Sequence, residues 1–212
     1  MVSASDPKSD CRLCPRLAAF RRKNGLDHPT YVNAPVPPFG LEDAPLLIVG
    51  LAPGLHGANR TGRPFTGDWA GDLLFATLTE AGLARGLYAE RADDGLVLAG
   101  CRIVNAVRCV PPQNKPLPIE IKTCNAFLKA EISAHRARAF LALGIIAHDA
   151  VLMALGVKKS AYRFQHAAKH ELPDGRQLID SYHCSRYNTN TGVLTPDMFR
   201  TAVALAKKAA GF

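Results

Sequence analysis

Residues 46–51, LLIVGL, and residues 139–144, AFLALG, are unbroken apolar runs that end at or beside a glycine. A strand with one wet face alternates apolar and polar side chains, so a run without alternation is covered on both faces. That excludes an open antiparallel meander for these segments. It points to parallel strands sandwiched between helix layers. Two further strand-like segments, residues 101–108 and 176–182, fall between stretches of helical spacing at residues 69–83, 118–135, 147–155 and 195–210. The reading is α/β, with about four parallel strands. A single domain covers residues 1–212, with a cysteine-bearing arm over about residues 1–25 that holds a short helix at 15–23.

In such sheets ligands bind beyond the carboxyl ends of the strands, which selects residues 52–68, 109–117 and 183–194. The first loop closes GLAPGLHGANRTGRPFTGD, with five glycines that allow close backbone approach. It lacks the Gly-Lys-Ser/Thr of a phosphate-binding loop and the dinucleotide glycine spacing. Phe65 there is either a stacking plate or a core plug, and Asp68 stands where a helix N-cap belongs. The second loop belongs to NAVRCVPPQNKP. Asn105 has an amide that reads an imide edge or satisfies buried backbone, and Arg108, Asn114 and Lys115 add polar reach. The third belongs to SYHCSRYNTNTGVLT. His183 ends a strand, and Ser185, Asn188, Thr189, Asn190 and Thr191 are short hydrogen-bonding side chains suited to phosphate oxygens.

With 212 residues, 48% of them hydrophobic, the chain has enough apolar material for a real core. No apolar run reaches membrane-span length, and the first ten residues lack the apolar stretch of a secretory signal, so a cytoplasmic location is the default. The net charge of +8 favours a polyanionic partner, with a merely basic surface as the plain alternative. Six cysteines in such a chain argue against a disulfide framework. Cys11-x2-Cys14 is a chelating pair. Cys109 and Cys124 flank a proline-rich segment, and Cys101 and Cys184 stand apart.

These four stretches, NAPVPPFG included, resemble the fifth, or B-type, family of uracil-DNA glycosylases, the iron–sulfur kind related to the fourth family. The likeness covers nearly the whole chain. It implies a three-layer α/β/α sandwich and a [4Fe–4S] cluster held by Cys11, Cys14, Cys109 and Cys124, with Cys101 and Cys184 free. It implies a monofunctional enzyme that flips uracil out of DNA and hydrolyses its N-glycosidic bond, with breadth toward hypoxanthine and xanthine. It gives Asp68 the water, assisted by Asn114, and gives His183 the base O2. Phe65 would stack on the base and Asn105 would read its edge. Gly50 and Ala52 would line the base pocket, and the water falls to Asp68 because Leu51, Ala52 and Pro53 carry no group able to orient it. Arg63, Ser185, Arg186, Tyr187, Asn188, Thr189 and Asn190 would hold DNA, with Arg186 and Tyr187 filling the vacated stack. The partner is lesion-bearing DNA, double- or single-stranded, and the chain is expected to act as a monomer with no membrane contact. Competing readings are a non-catalytic damage-binding module of the same fold, a branch that links covalently to its product, and an iron–sulfur electron carrier. Asp68 and His183 count against the first. The absence of a basic insert with its own histidine counts against the second. The glycine-rich and polar loops have no use in the third.

Overall fold

The computed structural model describes residues 6–134 and 136–212. The first five residues of the arm, and the helix end expected at His135, lie outside them. The elements in chain order are α1 (Pro15–Asp27), β1 (Phe39–Gly40), β2 (Leu46–Gly50), α2 (Ala58–Thr61), α3 (Trp69–Glu80), β3 (Ala84–Arg85), β4 (Val97–Leu98) and β5 (Cys101–Asn105). Then come α4 (Pro118–Ala134), β6 (Ala139–Leu143), α5 (Ile145–Leu155), β7 (Lys169–Glu171), β8 (Gln177–Ser181), α6 (Arg186–Asn190) and α7 (Pro196–Ala209).

The main sheet runs β1-β5-β2-β6-β8-β7. Its four inner strands are parallel, as expected, but it has six strands rather than four. The short outer strands β1 and β7 pair antiparallel and are two and three residues long. FG and KHE are too short to show a period of two, so the sequence carries no strand signal there.

Alternation along β2 explains the three layers. Leu46 and Ile48 pack on the face covered by α3 (Leu74, Phe75, Leu78) and α7 (Phe199, Ala202, Val203, Ala206). Leu47 and Val49 pack on the other face, against α4 (Leu128, Ile132) and α5 (Ala147, Val151, Leu152). Each helix presents a 3.6-period stripe, clearest in α7, where positions 199, 202, 203 and 206 share one face. The chain steps from β2 to β5 on one side, then crosses to β6 on the other. The topological switch point therefore lies at the carboxyl end of β2.

α3 stops at Glu80, short of residue 83. Gly82 turns to φ +72° and the N–H of Leu83 returns to the Leu78 carbonyl. Leu83 stays buried, so its apolar character belongs to the core rather than to the helix. At the far edge, buried Asp180 of β8 accepts from His148 Nδ1 (2.7 Å), His170 Nε2 (2.9 Å) and the Gln165 N–H (3.3 Å). His148 Nε2 lies 3.0 Å from the Tyr162 carbonyl. Both ring nitrogens of His148 thus face acceptors, an arrangement that favours the protonated ring. This clamp ties α5, β7, β8 and the 162–165 segment together.

Candidate active site

Gly50 ends β2 and pairs in register with Asn105 at the end of β5. A Cβ on Gly50 would sit 2.5 Å from Asn105 Oδ1 and 2.6 Å from Phe65 Cζ. Glycine here lets an amide and an aromatic ring meet over the strand end. Asn105 is buried, and its Oδ1 has no hydrogen-bond partner. It is therefore not spent on buried backbone, the plain alternative raised by the sequence. An orphaned acceptor in a pocket wall is free to meet a ligand.

Phe65 adopts φ +55°, a left-handed conformation unfavourable for an aromatic residue. Its carbonyl accepts from the Tyr88 hydroxyl (3.3 Å), and Gly71 leaves it room, since a Cβ there would lie 1.8 Å from the Phe65 oxygen. The strain is held by its surroundings, as at many functional sites. The Phe65 ring faces that of His183, with centroids 6.1 Å apart and planes 27° apart.

His183 follows β8. Its carbonyl accepts from Asn188 Nδ2 at 2.8 Å. Burial pushes its pKa down to about 4, so the ring is neutral and carries one N–H. Asp68 caps α3: Oδ1 accepts from the Gly71 N–H at 3.3 Å. Its other oxygen lies where glycines 54 and 57 leave space, since Cβ atoms there would stand 3.1 and 2.4 Å from Oδ2. The glycine-rich loop is thus a cradle for this carboxylate. Burial pushes the Asp68 pKa up, the N–H groups of Gly71 and Ala70 oppose that, and Asp72 and Glu90 add repulsion.

Ala52, Gly54, Ala58, Phe65, Asp68, Ala70, Asn105 and His183 enclose one small pocket. It shares Ala52, Gly54, Asp68, Ala70 and His183 with a wider cleft walled also by Leu51, His56, Trp69, Asn114, Ser185, Arg186 and Tyr187. Asn114 reaches this cleft from a turn in which it and Gln113 both hold φ +56°.

One DNA-facing expectation, Arg63, and the polar reach expected of Arg108 are corrected. Arg63 points inward. It is buried over the rings of Phe39, Phe75 and Tyr88 and pairs with Asp94 at 2.8 and 2.7 Å. Arg108 is also buried, 3.4 Å from Asp6 and 3.9 Å from Glu131, and offers no reach. The third loop is partly helical. Ser185 caps α6 by accepting from the Asn188 N–H, which orders residues 186–190. Within it, the Asn188 amide is engaged by His183. Thr189 accepts from Trp69 Nε1 at 3.0 Å, while Arg186, Tyr187 and Asn190 remain exposed. Trp69, Tyr88 and His56 were not singled out from sequence. Trp69 carried a signal, as the only tryptophan, directly after Asp68.

Away from this cleft, Cys11, Cys14, Cys109 and Cys124 line one small apolar cavity with Leu17, Val107 and Phe127. The Arg21 guanidinium donates to Cys109 Sγ and the Arg108 N–H to Cys124 Sγ, each at 3.3 Å. Burial pushes Cys109 up to about 11 and Cys124 up to about 12. Four converging sulfurs with N–H donors aimed at two of them suit a thiolate-bound iron–sulfur group. Cys101 and Cys184 lie instead in the core between the sheet and helices α3 and α7.

The family model of the uracil DNA glycosylase superfamily matches residues 37–207. A type-5 uracil-DNA glycosylase of Thermus thermophilus is 47% identical over 95% of this chain and 94% of its own length. A type-5 uracil-DNA glycosylase of Pyrobaculum aerophilum is 38% identical over 95% of this chain and 90% of its own length. A type-4 uracil-DNA glycosylase of Archaeoglobus fulgidus is 35% identical over 55% of this chain and 51% of its own length. Matched across most of its length by both the family model and the type-5 relatives, the chain belongs to the uracil-DNA glycosylase superfamily.

Proposed function

We propose that this chain is a monofunctional DNA glycosylase that excises uracil from DNA by hydrolysis, the first step of base excision repair. The observation that carries the reading is the convergence of four groups on one enclosed pocket. They are a ring (Phe65), an unpartnered amide oxygen (Asn105 Oδ1), a neutral imidazole (His183) and a desolvated carboxylate (Asp68). A flipped uracil presents two flat faces and an edge with one donor, N3–H, between two carbonyls. Phe65 stacks on the face, Asn105 Oδ1 accepts from N3–H, and Gly50 and Ala52 give the ring room. His183 donates to O2, where charge collects as the bond to the sugar breaks. Asp68 faces the sugar, stabilises its growing positive charge and orients the attacking water, with Asn114 beside it.

DNA backbone contacts fall to Ser185, Thr189 and Asn190, with Arg186 and Tyr187 at the vacated stack. We assign a [4Fe–4S] cluster to Cys11, Cys14, Cys109 and Cys124. It supplies a structural cross-link and takes no part in the chemistry. The enzyme acts as a monomer on DNA in the cytoplasm. Among the described residues no helix is long and apolar enough to cross a membrane. The breadth extends to hypoxanthine and xanthine, tested by a panel of duplexes bearing each base.

The deciding experiment is His183→Ala. Removing one preorganised donor costs about 2.7–4 kcal/mol, so single-turnover excision of uracil should fall roughly a hundredfold or more. Affinity for DNA bearing an uncleavable uracil analogue should change far less, because the charge exists mainly in the transition state. A defect in binding alone removes His183 from the chemistry.

A further inference from the structure

Trp69 is 48% exposed, yet it is held on two sides. Its indole N–H donates to Thr189 Oγ1 at 3.0 Å, and the Arg186 guanidinium lies over its ring, 5.3 Å from the centroid. Both partners belong to α6, five residues long and too short to hold itself rigid. Trp69 itself is the first residue of α3, directly after Asp68. The indole therefore joins the carboxylate side of the cleft to the element that follows His183.

Resting on the glycosylase reading, we propose that Trp69 is a positioning residue for duplex substrates. It holds α6 and presents the Arg186 guanidinium flat, so that the stack left by the flipped nucleotide is filled in the order indole, guanidinium, neighbouring base. A free arginine side chain samples many rotamers, whereas one held over an indole has its planar guanidinium placed in advance. Its outer face is exposed and meets any base, because every base offers a π face. Tyr187, 73% exposed, is the adjacent residue on α6 and extends the same surface. The device serves a double strand, which must be kept open. Uracil in a single strand leaves no stack to fill.

The readout is the ratio of single-turnover rates on duplex and single-stranded uracil DNA, compared for wild type, Trp69→Ala, Trp69→Phe, Arg186→Ala and the Trp69→Ala/Arg186→Ala double variant. Trp69→Ala should lower that ratio about tenfold, on the scale of one lost stacking contact. Trp69→Phe keeps a ring without the N–H donor and should restore part of it. The double variant should be little worse than either single one. As the sole tryptophan, Trp69 should also lose acrylamide accessibility when wild type binds duplex bearing a tetrahydrofuran abasic analogue. An unchanged ratio overturns the proposal, and so do equal losses on both substrates, additive losses in the double variant or unchanged accessibility. Should Trp69→Ala fail to fold, Trp69→Phe and Arg186→Ala carry the same comparison. Wild type inactive on both strands is a separate outcome, which sinks the glycosylase reading and this inference with it.

Discussion

At the scale of single residues, Asp68 divides its carboxylate. Oδ1 caps α3, and Oδ2 occupies the space left by glycines 54 and 57. Asp68→Asn keeps the cap and removes the charge. Excision of uracil should fall by roughly one to three orders of magnitude. Stability moves the other way. The folded-state pKa is raised, so the unfolded chain releases this proton at the lower pH, and raising the pH through that interval favours unfolding. At pH 7 the buried charge is a cost, and Asp68→Asn should melt at the same temperature as wild type or higher. A lower melting temperature contradicts that account. In the pH profile, His183 is neutral across the neutral range, so no step should appear near its ordinary value of about 6.5. The acid limb belongs to Asp68 and should lie above the usual aspartate value. That Phe65, Asp68, Asn105 and His183 gather at one pocket was legible from strand ends and a glycine-rich loop, while the roles proposed for them came from the family resemblance. The direction of Arg63 was not. Its partner Asp94 comes from a distant turn, and the same arginine in the same motif would read identically if it faced DNA.

Among the elements, β8 carries His183 at its end and the Asp180 clamp in its middle. Burial alone would push the His148 pKa down, but the hydrogen bond and charge of Asp180 and the Tyr162 carbonyl hold it above the ordinary histidine value. A raised pKa contributes stability that is fully present below about pH 6.5 and is lost as the pH rises through the folded-state value. The melting temperature of wild type should fall over that alkaline interval, and His148→Gln should flatten the fall. Parallel pH slopes for the two proteins contradict the imidazolium assignment. The parallel strands and their covering helices were readable from apolar runs and 3.6-residue stripes. β1, β7 and α6 were not, since elements of two to five residues show no period, and α6 rests on the Ser185 cap and the grip of Trp69.

For the whole molecule, the four-cysteine cavity joins the N-terminal arm to α4 and to the segment between Cys109 and Cys124. The pure protein should be brown, with broad absorbance near about 400 nm and roughly four irons per chain. Cys14→Ser should bleach it and lower its melting temperature, whereas Cys101→Ser and Cys184→Ser should keep the iron. Colour lost from either of the last two with Cys14→Ser still brown would move the ligands elsewhere. The cysteine pairs were visible in their spacing, but their meeting followed only from the family resemblance, because it depends on α1 packing against α4 far along the chain. The basic balance was legible in bulk but not by residue: Arg63, Arg102 and Arg108 are buried against Asp94, Glu131 and Asp6, so burial removes charges of both signs and leaves the surface basic.

The segment that delivers Asn114 to the cleft is anchored at both ends, Cys109 and Cys124, in that one cavity, while Cys11 and Cys14 stand half-exposed at its rim. The arm and the cleft therefore share one tether: whatever holds these four side chains together also fixes where Asn114 stands, although no cysteine lines the pocket itself.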